Sequence, residues 1–335
     1  MNRRFVLILL LSLFALIGDR SASEESRLVA TQRIENDLIA ATSPLAYAAD
    51  SSDKQKVQVR GALLSTHFSS FEDFQKRIRV EYINSDSHSH RNSFVCVTHW
   101  SHGKQICSIL KRGVSEKDFE NAKFGGLWER ISLAFQSPYV VFHYKDMQRV
   151  SILARWRPEL YEAGDFAFYN LALEMVGHIE EKTKKSLPKA DLGEKGYINT
   201  FNHITAQALM TAIFGESLAN FMSDAHERRN LPELATGNFA QSQIDDVYNG
   251  VVDNLVDMLN NEWGQELGKQ LAAKYQIEHA TIWTPALLSN FLNDIQRYFS
   301  WAFQLPFQPF RPGDEIVQRF SQKLNFVMAD QYVLK

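Results

Sequence analysis

The sequence predicts an α+β protein in which a small α+β N-terminal domain precedes a larger all-α helical domain. Three observations carry that prediction. Short runs of β-branched and aromatic residues are confined to the part of the chain before about residue 150. Beyond it, apolar positions recur with the 3.6-residue period of helices. A hydrophobic content of 45%, with 12% aromatic residues, is that of a globular chain rather than a disordered one.

Taken in order, residues 1–23 have the layout of a secretory signal peptide. Arg3 and Arg4 precede the almost wholly apolar run Phe5 to Gly18, and Ser21-Ala22-Ser23 supplies small residues for cleavage after Ser23. The run is shorter than the roughly 20 residues that cross a bilayer core; the alternative is an uncleaved anchor. No later segment approaches that length without charges. The expectation is a periplasmic or secreted protein with no stable membrane span after cleavage. Loss of Arg3, Arg4, Arg20 and Asp19 takes the formal charge from −3 to −5. This acidic balance lacks the basic stripe that neutralises phosphates, so no nucleic acid is expected as a partner.

Residues 24–60 are polar at both ends and are expected to form an exposed helix and linker without chemistry. The small α+β domain is placed at 61–150, with strands at Ile78 to Ile83, Phe94 to Val97, Ile106 to Leu110 and Tyr139 to Tyr144, and a helix from Glu116 to Ala122. Cys96 and Cys107 flank a Ser-His-Gly turn, which places them across a hairpin; in an oxidising compartment this predicts a disulfide. The competing reading is a metal site with His99 and His102, but the spacing is not the close Cys-x₂-Cys of structural zinc sites. Asp86, His88 and His90 alternate in a turn-rich stretch that suits a solvated loop, and His143 is read with the same caution.

The all-α domain is placed at 151–335, with helices near 157–184, 197–214, 216–228, 242–271, 284–303 and 313–330. Pro306, Pro309 and Pro312 mark an extended connector packed by Phe307 and Phe310, and the stripe Leu287, Leu288, Phe291, Leu292, Ile295, Phe299 and Phe303 before it reads as core.

Candidate chemistry lies in this half. Along 253–268, Asp253, Asp257, Asn260, Asn261, Gly264 and Gly268 fall within roughly 100° of helical arc. These are poor helix formers by roughly 0.5–1 kcal/mol each against Ala, so a stripe of them is expected to face inward. The two glycines admit a close neighbour. Asn199, His203 and Gln207 share one face of the 197–214 helix by their i, i+4, i+8 spacing. After a turn at Gly215, Asp224, His226 and Glu227 lie within four residues of one another, with Arg228 and Arg229 as competing salt-bridge partners. Asn170, Glu174 and His178 form a further i, i+4 series.

The run Asn199-x₃-His203, Asp224-x-His226-Glu227 and Asp257-x₂-Asn260-Asn261-x₂-Gly264 resembles a bacterial domain family of unknown function found in exported and toxin-like proteins. The resemblance covers roughly residues 195 to 270. Asn202 stands where that family tends to have Arg, and Leu259 where it has His. The resemblance implies that the three segments belong together and implies no reaction type.

These residue types support three readings. The first is a metal-dependent hydrolase of the cell envelope: His203, His226, Asp224 and Asp257 as ligands of a divalent metal such as zinc, Glu227 as the base that takes a proton from bound water, and Asn199, Asn260, Asn261 and Gly264 orienting ligands or substrate. The second is a metal-free glycan hydrolase using Glu227 and Asp257 as paired carboxylates. The third is non-enzymatic: a buried polar network that sets helix register in an envelope binding or scaffold protein. The sequence contains neither the Gly-x-Ser-x-Gly elbow of serine hydrolases nor a phosphate-cradling glycine loop.

Overall fold

The computed structural model describes residues 60–83, 93–157, 165–246 and 248–330. They belong to a unit spanning Gln58–Lys335. The expected signal peptide, the 24–59 segment and the loop with Asp86, His88 and His90 lie outside the described residues.

In chain order, α1 (Phe71–Gln75) precedes a three-stranded antiparallel sheet of β1 (Arg79–Ile83), β2 (Phe94–Ser101) and β3 (Lys104–Lys111), paired in the order β1-β2-β3. There follow α2 (Glu116–Phe124), α3 (Leu127–Gln136), α4 (Pro138–Phe142), α5 (Tyr144–Ala154), α6 (Phe168–Gly177) and α7 (Glu181–Lys184). The last six are α8 (Asn199–Phe214), α9 (Glu216–Asn230), α10 (Gln241–Asp245), α11 (Val251–Tyr275), α12 (Pro285–Phe303) and α13 (Glu315–Met328). A small sheet followed by helices is the α+β arrangement expected.

Three details differ from the expectation. Tyr139 to Tyr144 is helical, because Pro138 occupies the first turn of α4 and pre-sets its backbone, overriding the strand preference of Tyr-Val-Val-Phe. Among the described residues, the helix expected over 157–184 is limited to α6 and α7. The one expected over 242–271 breaks at Asp246, whose carboxylate accepts from the backbone N–H groups of Tyr248 and Asn249 and so closes a turn before α11 begins.

α11 organises the site. Of its 25 residues, 17 are buried, so it is a core helix sheathed on nearly all sides. Its apolar face, Val252, Leu255, Val256, Leu259 and Trp263, packs with Val95, Val97, Ile106 and Leu110 of the sheet. The opposite side lies against α8. There a Cβ added at Gly264 would come within 2.7 Å of the Ile204 carbonyl oxygen, and one added at Gly268 within 2.6 Å of that of Ala208. The two glycines are thus what allows two helix backbones to meet. A second core gathers Phe201, Ile204 and Ala208 of α8 with Leu171, Met175, Phe291, Phe299, Phe320 and Leu324. Phe310 of the Pro-rich connector is buried in it, and Phe307 packs against its edge.

β2 and β3 form the expected hairpin. Cys107 pairs with Thr98 and Cys96 with Ile109, so the cysteines are diagonal neighbours; their Sγ atoms lie 2.6 Å apart as free thiols. His99 sits on the other face of β2, where it accepts a hydrogen bond from Trp263 Nε1 at 3.1 Å. His102 belongs to the turn, with φ of 49°. Strand alternation therefore keeps His99 away from the thiols.

A candidate metal centre between three helices

α8 and α11 run in the same direction, and a polar ladder joins them. Lys195 Nζ donates to Asp253 Oδ2 at 2.7 Å, and Asn199 Nδ2 donates to Asp257 Oδ1 at 2.7 Å. His203 Nδ1 meets Asn261 Oδ1 at 2.9 Å, and Gln265 Nε2 donates to Gln207 Oε1 at 3.2 Å. Every rung links residues 58 apart, because a four-residue step advances both helices by one turn. The stripe expected to face inward is buried: Asp253, Asp257, Asn260 and Asn261 are each 4% exposed or less, and Gly264 and Gly268 are buried with them.

Asn260 departs from the ladder. Its Oδ1 accepts from Leu63 N and its Nδ2 donates to Leu63 O, both at 2.9 Å, which ties the segment before β1 onto α11. Ser65 Oγ adds a hydrogen bond to Asp253 Oδ1 at 2.9 Å. Asn260 and Gly264 thus meet protein backbone, and their roles here are structural.

α9 brings the third component. Asn261 Nδ2 donates to Glu227 Oε1 at 3.2 Å, so its amide oxygen faces His203. A neutral His203 then carries its proton on Nδ1, leaving the Nε2 lone pair directed at Asp257 Oδ2, 3.4 Å away. Glu227 Oε2 is buried and has no hydrogen-bond partner. Three lone-pair donors, His203 Nε2, an Asp257 oxygen and a Glu227 oxygen, surround one dry position. One ligand atom from each of the three residues lies within 4.8 Å of the others. Buried acceptors facing one another repel unless a proton or a cation lies between them.

The electrostatics agree. Burial pushes the carboxyls of both Asp257 and Glu227 well above the usual range, with Asp253 raising each further. Burial depresses His203 to about 4, so its imidazole is neutral at pH 7. Lys195 balances Asp253, and no rung neutralises the other two acids.

The other candidates lie apart from this centre. Asp224 is ion-paired with Arg228 at 2.7 Å, although burial, the larger influence, raises its carboxyl to about 6. The His226 ring centroid is 6.3 Å from that of His203, and its Nδ1 faces Glu116 at 3.4 Å; its side chain is 43% exposed. Of the four expected ligands, His203 and Asp257 lie together, joined by Glu227, the residue assigned as base, while Asp224 and His226 lie apart. His178 is held by Gln296 and packs on Phe310, Asn170 caps α6, and His143 stacks on Tyr139. Lys195 was missed: it stands four residues before Asn199 in sequence but outside α8, across the non-helical backbone of Gly196. Ser65 and Glu116 left no signal, since both arrive from distant segments.

A helical scaffold enclosing a His-Glu-Asp centre is the class that fold and site define. Comparison with protein-family models, curated proteins and solved structures finds no match to the chain.

Proposed function

We propose that the chain is an exported, metal-dependent hydrolase in which His203, Asp257 and Glu227 hold one divalent transition metal such as zinc. The observation that carries this reading is the donorless centre onto which His203 Nε2, Asp257 and the unpartnered Glu227 Oε2 converge. A divalent cation held by these three residues would supply the missing positive charge, and a mixed nitrogen and oxygen set of three ligands is the kind that catalytic zinc uses to activate water. Asn261 and Asn199 orient the ligands from behind. Export rests on Arg3, Arg4 and the apolar run after them. It would place Cys96 and Cys107 in an oxidising compartment, and the proposal extends to a disulfide between them.

Metal analysis of the purified chain tests this reading. About one transition metal per chain is expected, lost in His203→Ala and Asp257→Asn, together with chelator-sensitive hydrolysis of ester, amide or phosphodiester substrates. A folded, metal-free protein that takes up no added zinc or manganese would refute it.

The continuous ladder favours a second reading, a register-setting network in an envelope binding or scaffold protein, with a proton rather than a metal between Asp257 and His203. Its mark would be a large stability loss in His203→Ala without any metal. The metal-free glycan hydrolase has less support, since Glu227 and Asp257 are 1% and 4% exposed and face each other rather than a cleft.

A further inference from the structure

Helices α2 to α4 and the start of α5 leave large apolar side chains in solvent: Phe124 is 81% exposed, Trp128 78%, Leu127 and Phe142 63%, Phe135 58% and Tyr144 56%. Exposed apolar residues are ordinary singly; a succession in one short segment marks an interaction surface. α3 makes the point most sharply. At 100° per residue, Leu127, Trp128, Ile131 and Phe135 fall within roughly 100° of arc, while Leu133, the residue α3 buries, lies on the other side. The helix is apolar on two faces, and the body of the protein covers one.

The charges around the uncovered face indicate what it meets. From α2 to the start of α5 the cations Lys117, Lys123, Arg130 and Lys145 stand against five acids, of which Glu116 and Glu120 pair with Arg229, Asp118 caps α2 and Asp146 pairs with Arg149, leaving Glu129 as the acid without such a partner among these residues. The Lys123 ammonium lies 5.2 Å over the Phe124 ring, with its stem along the apolar surface. A second copy docked about a two-fold axis would set these cations against one another. Trp and Tyr rings among Phe and Leu, with lysines at the margin, make up the side-chain set that lodges at a bilayer surface. Among the described residues no helix is long and apolar enough to cross a membrane.

We propose that the α2–α4 face docks on an anionic membrane surface, with Trp128, Phe135 and Phe142 at the depth of the headgroups and Lys123, Arg130 and Lys145 toward lipid phosphates. This inference is independent of the metal centre.

The test is sedimentation of the full-length chain with vesicles of phosphatidylglycerol and phosphatidylcholine at about 3:7, beside vesicles of phosphatidylcholine alone. The W128E/F135E variant shares the N-terminal segment with the parent, so their difference reads this face only. Expected are a partition coefficient at least about tenfold lower for W128E/F135E, a loss for K123E/K145E confined to the anionic vesicles, and slowed amide exchange in α3 when vesicles are added to the parent chain. The exchange measurement answers even if the double variant unfolds. Equal partitioning of parent and W128E/F135E, no partitioning by the parent, or a parent dimer that W128E/F135E dissolves without any lipid binding would each overturn the proposal.

Discussion

The seam between α8 and α11 and the outer face of α3 break the usual partition of residues in opposite ways. The seam buries Asp, Asn, His and Glu at the centre of the molecule, whereas α3 leaves Trp, Leu and Phe in water. Each arrangement costs free energy in the isolated chain, by desolvation in one place and by hydration of apolar area in the other. The difference is how far the cost is met internally. The ladder answers most of its polar groups rung by rung and leaves one acceptor cluster unanswered; α3 answers nothing on its outer side. The unanswered part is where each region points beyond the chain.

Breaking the seam itself has the largest expected effect. A methyl group at Gly264 or Gly268 meets main-chain oxygen rather than a movable side chain, so α8 and α11 must separate and every rung must lengthen. Gly264→Ala and Gly268→Ala are each expected to cost about 3 kcal/mol or more in urea unfolding, and the double variant to yield no folded protein. Wild-type stability in both singles would mean that the helices do not touch there. Asn260→Ala comes next. It strands the Leu63 N–H, while the Leu63 carbonyl keeps the Thr200 hydroxyl at 2.7 Å. A loss of roughly 2 kcal/mol with metal content unchanged would separate this structural amide from the site one position away.

Acid should weaken the sheet side of α11. His99, buried and accepting from Trp263, titrates at about 4 in the folded chain, against an ordinary 6.5 unfolded. Between those values the unfolded chain binds more protons, so stability falls as pH falls through that window. The contribution from His99 is roughly 2 kcal/mol between pH 7 and 5. His99→Gln should flatten that part of the pH–stability curve; an unchanged slope would show that His99 is already open to solvent.

How much of this was legible in the sequence follows from range. The inward stripe on α11 could be read because period and composition are local: poor helix formers on one arc need a reason to be there. The i, i+4 rows of α8 and α11 were each visible. Their pairing was not, because nothing in one helix states the direction of the other; only the shared step of four, once the helices are parallel, makes Lys195, Asn199, His203 and Gln207 meet Asp253, Asp257, Asn261 and Gln265. Asp224 and His226 looked like ligands because proximity in sequence was taken for convergence in space. On α9 the Asp224 carboxylate is claimed by Arg228 one turn on, and His226 by Glu116 from the distant α2. The strand expected at Tyr139 to Tyr144 failed for the complementary reason, a strong residue preference overridden by one proline.

Asp257→Asn sharpens the question at the unanswered centre. It replaces an acceptor by an amide that can donate to His203 Nε2, so the metal-free chain should gain on the order of 1 kcal/mol while losing the ion. If a proton already lies between the two side chains, the substitution changes little. The sign of the change in metal-free melts therefore discriminates between the two readings of the seam without any activity assay.

The smallest expected effect on stability belongs to α3, and its smallness is the informative part. Trp128→Ser or Phe135→Ser removes side chains already in water, so each should shift the unfolding midpoint by no more than about 0.5 kcal/mol. Leu133→Ala, on the packed side of the same helix and 9% exposed, should cost about 2 kcal/mol or more. Equal costs on the two sides would mean that Trp128 and Phe135 are covered within the chain itself, and the contrast with the seam would vanish. A large difference leaves these aromatics with no part in folding, so that only a surface outside the protein accounts for their presence.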